Sequence, residues 1–328
     1  MRILVLLFLV TVTSTVFAQQ DTSVNNLMAS MDEKKTNQKA PVKIFFSQKL
    51  INANTVEVLH KGILEFKVVH NFGDVAGNNG GAKTFYGLDN ATDVKIAFQA
   101  GLSDKLNVFV SRSRGGGNLS QLIETGIKYQ FLQQLENDPS HPISVTLFAN
   151  NVISAMRADT DTSIGQIKIK ENHFTNFSDR MSQVVQLMIA KKIANISLQL
   201  SPTYVHTNYV VPNDQKSLFA LGGGIRLPLS KKFILIADYF HPFRSKKSEA
   251  ALAAQYAGYY DAKRYDAFGI GFEIVTPGHL FHLNFTNTTN ILENRFIPRT
   301  YTSWGKGEYR WGFTIARKFV LFRDKNKS

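Results

Sequence analysis

From Gly62 onward, apolar and polar residues alternate with a period of two, the repeat of an extended strand whose successive side chains point to opposite faces. Trp311, Phe313 and Ile315 alternate with Gly312, Thr314 and Ala316, and Phe281, Leu283 and Phe285 with His282, Asn284 and Thr286. Leu64, Phe66 and Val68 likewise oppose Glu65 and Lys67. Twelve such runs are predicted, at about 61–72, 93–102, 105–114, 119–130, 143–155, 181–191, 195–206, 216–227, 233–243, 264–275, 279–288 and 308–320. Most exceed the five or six residues usual in globular strands and match the length a tilted strand needs to cross a bilayer.

The connections carry a second rhythm. Ser103-Asp104, Lys192-Ile193-Ala194 and Thr276-Pro277-Gly278 are tight turns, whereas 73–92, 156–180, 244–263 and 289–307 are long and rich in Asn, Asp, Gly and Ser. Short turns on one side and long loops on the other, with an even strand number, predict an all-β fold: one antiparallel transmembrane β-barrel of about twelve strands. Its apolar faces meet lipid, its polar faces line the interior, and its long loops face outward. Closure leaves no unpaired sheet edge in hydrocarbon, which is what lets strands span at all. Tyr129, Tyr204, Tyr239, Tyr265, Trp304, Tyr309 and Trp311 fall near strand ends, where aromatic girdles belong. Alternation places Phe285 on the lipid face, near the midplane, and Asn284 inside, so arginine is expected to cost about 2–4 kcal/mol at the first and much less at the second.

The flanks change the picture in one respect. Arg2, the apolar run 3–10 and Val16-Phe17-Ala18 have the order of a secretory signal peptide ending at residue 18, so the chain is expected to be exported. Residues 19–60 are assigned to a polar periplasmic leader, 61–322 to the barrel and 323–328 to a polar tail. The 328 residues contain no Cys, which excludes disulfides, thiolate zinc sites, cysteine nucleophiles and lipid attachment to a Cys. A mean hydropathy of −0.13 argues against a helical polytopic membrane protein, and 44% hydrophobic residues against a disordered chain.

Several segments resemble a Gram-negative outer-membrane β-barrel family of unassigned function. They are SQKLIN at 47–52, KGILEF at 61–66, HNFG at 70–73, FYGLD at 85–89, LMIAKK at 187–192, SLQLSPT at 197–203, GHLFHLNFTN at 278–287 and WGKG at 304–307. The resemblance covers about 43–322 and implies a barrel in the cell outer membrane, with no catalytic role attached to any motif. The chain departs from the common pattern of a terminal aromatic, because Phe322 is followed by Arg323 and a polar tail.

Signals for chemistry are sparse. His279 and His282 are three apart on a strand and point to opposite faces, so no metal site or cofactor is expected. Gly222-Gly223-Gly224 lacks a following Lys and Ser/Thr and reads as a bend or close packing in the barrel wall. No nucleophile elbow frames any serine. The formal charge of +13 is spread along the chain without a basic stripe, so nucleic acid is not an expected partner. Lys191-Lys192, Lys231-Lys232, Lys246-Lys247 and Arg317-Lys318 lie at strand ends, where they can reach lipid head groups. Expected partners are outer-membrane lipid, a small solute and the outer-membrane assembly machinery.

Strand phase turns Glu65, Lys67, Lys95, Glu124, Lys128, Arg226, Asp238, Glu273, His282 and Lys318 inward as lumen-lining candidates. Mixed charge in a confined lumen fits either a solute path or a set of pairs that plugs it. The functional expectation is a non-enzymatic barrel that passes or binds a small solute or lipid. The alternative is a closed structural barrel presenting its long loops to partners, and a membrane-embedded esterase ranks third.

Overall fold

The structure, a computed structural model, describes residues 39–116, 119–159, 171–230, 233–256, 263–276 and 278–322. The assigned signal peptide, most of the leader and the 323–328 tail lie outside the described residues. Twelve strands form the wall: β1 (Ile63–Asp74), β2 (Ala91–Gly101), β3 (Leu106–Gly115), β4 (Gln121–Leu132), β5 (Ser144–Ser154) and β6 (Met181–Ile193) make one half. β7 (Ile196–Thr207), β8 (Ser217–Pro228), β9 (Ile234–Phe243), β10 (Ala267–Thr276), β11 (His279–Thr286) and β12 (Arg310–Val320) make the other. Each strand pairs with its sequence neighbours, and β1 pairs antiparallel with β12 to close the barrel. The observed strands follow the period-two runs to within a few residues, because a register slip of one would exchange the two faces.

The polarity is inverted relative to a water-soluble fold. Leu200 is 57% exposed on the outer wall, whereas Glu124 on the inner wall is fully buried. Ile96, Phe98, Leu198, Leu221, Phe272, Leu283 and Ile315 continue the exposed apolar belt. At the long-loop end, Trp304 stacks on Tyr309 at 4.7 Å, and Phe285 lies 4.1 Å from Trp311. Phe285 therefore belongs to an interfacial aromatic cluster. Asn284 is inward and buried, as alternation suggests, and occupies space left by its flanking glycines: a Cβ on Gly271 of β10 would come within 2.6 Å of its Cβ, and one on Gly312 of β12 within 2.6 Å of its Nδ2.

Two expectations about the non-strand segments are overturned. Residues 44–59, grouped with the periplasmic leader, are packed inside the barrel: Ile44, Phe45, Leu50, Ile51, Val56 and Leu59 are all buried. The β11–β12 connection, expected to face outward, turns back into the lumen and buries Ile291, Leu292, Phe296 and Ile297, with a single helical turn α1 (Glu293–Phe296) at its tip. The physical reason is shared. Both segments carry more large apolar side chains than a solvated leader or loop can expose, and the lumen is wide enough to take them.

The interior is thus two-sided. On the β5–β10 side, Phe148, Val184, Met188, Ile236 and Phe240 point inward and form an apolar cluster with the 44–56 segment and Phe296. On the β1–β4 side the inner wall carries Glu65, Lys67, Lys95, Glu124 and Lys128 with Val69, Ala97 and Phe109 among them. The polar lining expected from alternation is thus interrupted by apolar residues on both sides.

The lipid-facing assignment is testable at mid-strand. Leu200→Arg is expected to destabilise the barrel in lipid vesicles by about 2–4 kcal/mol, whereas Phe285→Arg at the aromatic interface should cost about 1 kcal/mol or less in lost lipid partitioning. Equal unfolding penalties in a denaturant titration would refute this placement of the membrane.

Candidate functional site

All ten lumen-lining candidates lie on inward-facing positions of the wall, and nine are buried; Lys318, register partner of Glu65, is half-buried. The structure divides them into groups. Glu65 and Lys67, two apart on β1, pair at 2.8 Å. Lys95 of β2 reaches across β3 to Glu124 of β4 at 2.7 Å, and Glu124 also accepts from Ser111 at 2.5 Å and Asn150 at 2.7 Å. Lys128 of β4 donates to the carbonyl oxygen and Oε1 of Gln48, at 3.4 and 3.1 Å. Arg226, Glu273 and His282 form a separate chain, with Glu273 accepting from Arg226 at 2.8 Å and lying 3.2 Å from His282 Nε2. His282 Nδ1 lies 3.1 Å from the carbonyl of Leu50. His279, three residues earlier, is on the other face beside Phe281.

Asp238 has a different task. Its Oδ2 accepts the backbone N–H groups of Ile51, Asn52 and Ala53 at 2.9, 2.6 and 2.9 Å, and Oδ1 accepts Asn52 Nδ2 at 2.9 Å. The chain reverses at this carboxylate, with Leu50 N donating to Ala53 O at 2.8 Å and Lys49 bridging Asn54. Gly224 and Gly269 flank Asp238 in the register of β8 and β10. A Cβ on Gly224 would meet Leu50 Cδ1 at 2.5 Å, and one on Gly269 would meet Ile51 Cγ2 at 2.7 Å. The run of glycines in β8 thus includes a position that lets a side chain of another segment, Leu50, lie against the wall.

Residues 44–59 form a hairpin plug. It begins beside the β4–β5 connection, where Val42 N donates to Gln134 O at 2.8 Å and Lys39 pairs with Asp138 at 3.0 Å. It returns to the same end at Leu59, whose N–H donates to Asn107 Oδ1 at 2.7 Å. Between those points Val56 N donates to Gln199, and its carbonyl accepts from Thr146 and Gln130. From the opposite end the inner loop meets it: Lys49 Nζ lies 2.8 Å from Glu293 and 3.2 Å from Ile291 O, and Asn54 Nδ2 lies 3.1 Å from Glu293.

What these segments leave open is a cavity of about 40 Å³, room for a few waters. It is lined by Glu65, Lys67, Lys95, Glu124 and Lys128 from the charged wall, Lys49 from the plug, and the stacked rings of Phe109 and Phe148. Half of the lumen candidates therefore share one cavity. Arg226, Asp238, Glu273, His282 and Lys318 stand elsewhere. Sequence reasoning missed Lys49, Gln48, Phe109 and Phe148. Phe109 and Phe148 lie in phase with polar inward residues of their own strands, and that phase was a usable signal.

The inner loop is held from outside the membrane-spanning strands. Glu171, in the β5–β6 connection, pairs with Arg295 at 2.8 Å and contacts Arg299 closely. Burial pushes its carboxyl up, but the two guanidinium groups outweigh that and hold it down at about 2.

The fold and its inverted polarity define a transmembrane barrel of the outer membrane. The model of the membrane bound beta barrel domain (DUF5777) matches residues 45–319, and the chain belongs to that family. The match includes most of the plug as well as the wall. Among solved structures the chain is similar to the NanC porin, at 7% identity and a TM-score of 0.43, covering 79% of this chain and 100% of that one. It is similar to the KdgM porin at 6% identity and a TM-score of 0.43, covering 78% and 99%. An outer membrane channel from Pseudomonas putida F1 is 10% identical with a TM-score of 0.45, covering 80% and 98%. No curated protein matches the chain.

A carboxylate held below its ordinary value of 4.5 stabilises the folded loop fully above that value and loses the contribution as pH falls toward about 2. The protection of the amides of residues 291–300, measured relative to the intrinsic exchange rate at each pH, is therefore expected to be high at about pH 5 and to fall as the pH approaches about 2. In Glu171→Gln the loop should be less protected at about pH 5, converge with the wild type toward about pH 2 and so lose this acid dependence; an acid profile unchanged from the wild type would rule the pairing out as its cause.

Proposed function

We propose that the protein is a non-enzymatic outer-membrane barrel that binds and passes a small solute along the charged side of its lumen, with its own hairpin plug closing the path in the state described. The observation that supports this most is the eccentric cavity. The plug packs its apolar residues against the β5–β10 wall, and water-sized space remains where Glu65, Lys67, Lys95, Glu124 and Lys128 face it. Glu65–Lys67 and Lys95–Glu124 pair at contact distance while Lys128 is held by Gln48 of the plug, so a shift of the plug at Gln48 and Lys49 enlarges the cavity without unfolding the wall.

A purely structural barrel is the competing reading. It gains support from the extent of the plug's bonding, and conductance separates the two. The wild-type chain in planar bilayers is expected to show brief, infrequent openings. Asp238→Ala removes the acceptor of three plug amides, and each buried donor left unpaired costs about 1–3 kcal/mol. Its opening frequency should therefore rise at least about tenfold. Silence from both proteins, each with the heat-dependent gel mobility of a folded barrel, would sink the solute path and favour the closed barrel.

A further inference from the structure

Four lysines and two glutamates line the lumen cavity: Lys49, Lys67, Lys95 and Lys128 against Glu65 and Glu124. Three of the lysines have a carboxylate within 3 Å, namely Glu293, Glu65 and Glu124. Lys128 is the exception among the four. It is 2% exposed, and its hydrogen bonds go to two neutral oxygens of one plug residue, Gln48. Glu57 and Glu65 act on this ammonium through space, but neither is hydrogen-bonded to it, and a charge-assisted bond is about twice as strong as a neutral one. Interleaved with the lysines on the same stretch of wall, Phe109 and Phe148 stack at 5.2 Å, Phe148 is the register partner of Lys128, and Val69 and Ala97 are the register partners of Lys95 and Lys67.

We infer that this cavity is a site for a compact organic carboxylate, whose anionic end takes Lys128 from Gln48 while its short apolar body lies against Phe109 and Phe148. The inference deepens the solute-path reading and rests on it for its biological meaning, but binding can be measured without passage. Gln48 is the competing ligand already in place: its Oε1 occupies Lys128 and also accepts from Gln99 Nε2 at 3.0 Å. When an anion displaces it, Gln99 keeps its second bond, to Asn107 Oδ1 at 2.9 Å, so the wall is not left unsatisfied. Binding and loosening of the plug at Gln48 are then one exchange, and by linkage whatever loosens Gln48 strengthens the anion.

The exchange makes two variants move in opposite directions. Butyrate, with butyramide as its neutral counterpart, is titrated calorimetrically into the full-length folded barrel in detergent. Saturable butyrate binding is expected, with butyramide at least tenfold weaker. Lys128→Gln should weaken butyrate at least tenfold, Lys128→Arg should stay within about threefold of the wild type, and Gln48→Ala should tighten butyrate about three- to tenfold. Heat-dependent gel mobility confirms that each variant is folded. Equal affinity for butyrate and butyramide, no saturable binding to the folded wild type, or weaker binding in Gln48→Ala would each overturn the site. Butyrate binding without current in bilayers would leave the site standing and remove the passage reading alone; current without butyrate binding would do the reverse.

Discussion

A twelve-strand ladder encloses more space than its own inward side chains can fill, and the rest of the molecule answers that surplus volume. Closure itself is obligatory, since an unpaired backbone group in hydrocarbon costs several kcal/mol and only a closed sheet has none. Once β1 meets β12 the circumference is set. The lumen must then hold water, ligand or protein. Here it holds protein from both ends, the hairpin 44–59 and the inner loop around α1, and each amide carried inside needs an acceptor there. The wall supplies them at Asp238, Gln199 and Asn107, which are as much docking points for the plug as they are lining of a lumen.

The interior charges follow a related logic. Pairs such as Lys95–Glu124 and Arg226–Glu273 lose much of their Coulomb gain to desolvation, and apolar residues of equal volume are often no less stable. Their clearest effect is registry. Glu293 accepts from Lys49 and Asn54 only when plug and loop are both in place, and Glu273 accepts from two strands while His282 stands against the plug carbonyl of Leu50. The hairpin's apolar anchors pack on the β5–β10 side, where Asp238 also binds its turn, and its bonds to β3 and β4 are polar ones from Asn107, Lys128 and Gln130, so the residual cavity lies on that polar side.

The wall was legible because lipid and lumen impose opposite requirements on adjacent residues. Leu198 and Leu200 face out while Ser197, Gln199 and Ser201 face in, and ten inward charged residues could be named from phase alone. The plug was not legible, because an irregular hairpin inside a barrel has no period and its contacts lie far away in sequence. Ile51 meets Asp238, 187 positions later. The composition of 44–59 held a clue that periodicity cannot use: Ile44, Phe45, Leu50, Ile51, Val56 and Leu59 are too apolar for a solvated leader. The same holds for Ile291-Leu292 and Phe296-Ile297 in a loop otherwise rich in Asn and Thr. Which lysine lacked a carboxylate was beyond sequence reasoning, since Lys128 and Lys95 look alike until Glu124 is seen to choose one of them.

The magnitudes decide how the plug can move. Ile44, Phe45, Leu50, Ile51 and Val56 are all buried in the shared apolar cluster, and at about 1.5–3 kcal/mol each they hold the hairpin with on the order of 10 kcal/mol before entropy. Reversing a two-state equilibrium from 1:99 to 99:1 already needs about 5.5 kcal/mol of differential binding, so no small ligand expels such a plug. A side-chain hydrogen bond to a charged group, by contrast, contributes about 1.5–3 kcal/mol, within the reach of one anion. Ser47, Gln48 and Lys49 form the polar stretch between the anchors Phe45 and Leu50, and Gln48 is bound to Lys128 and Gln99, two residues that line the cavity. What one anion could move is therefore limited to the side chains on that stretch, with the turn at Asp238 held by three backbone bonds.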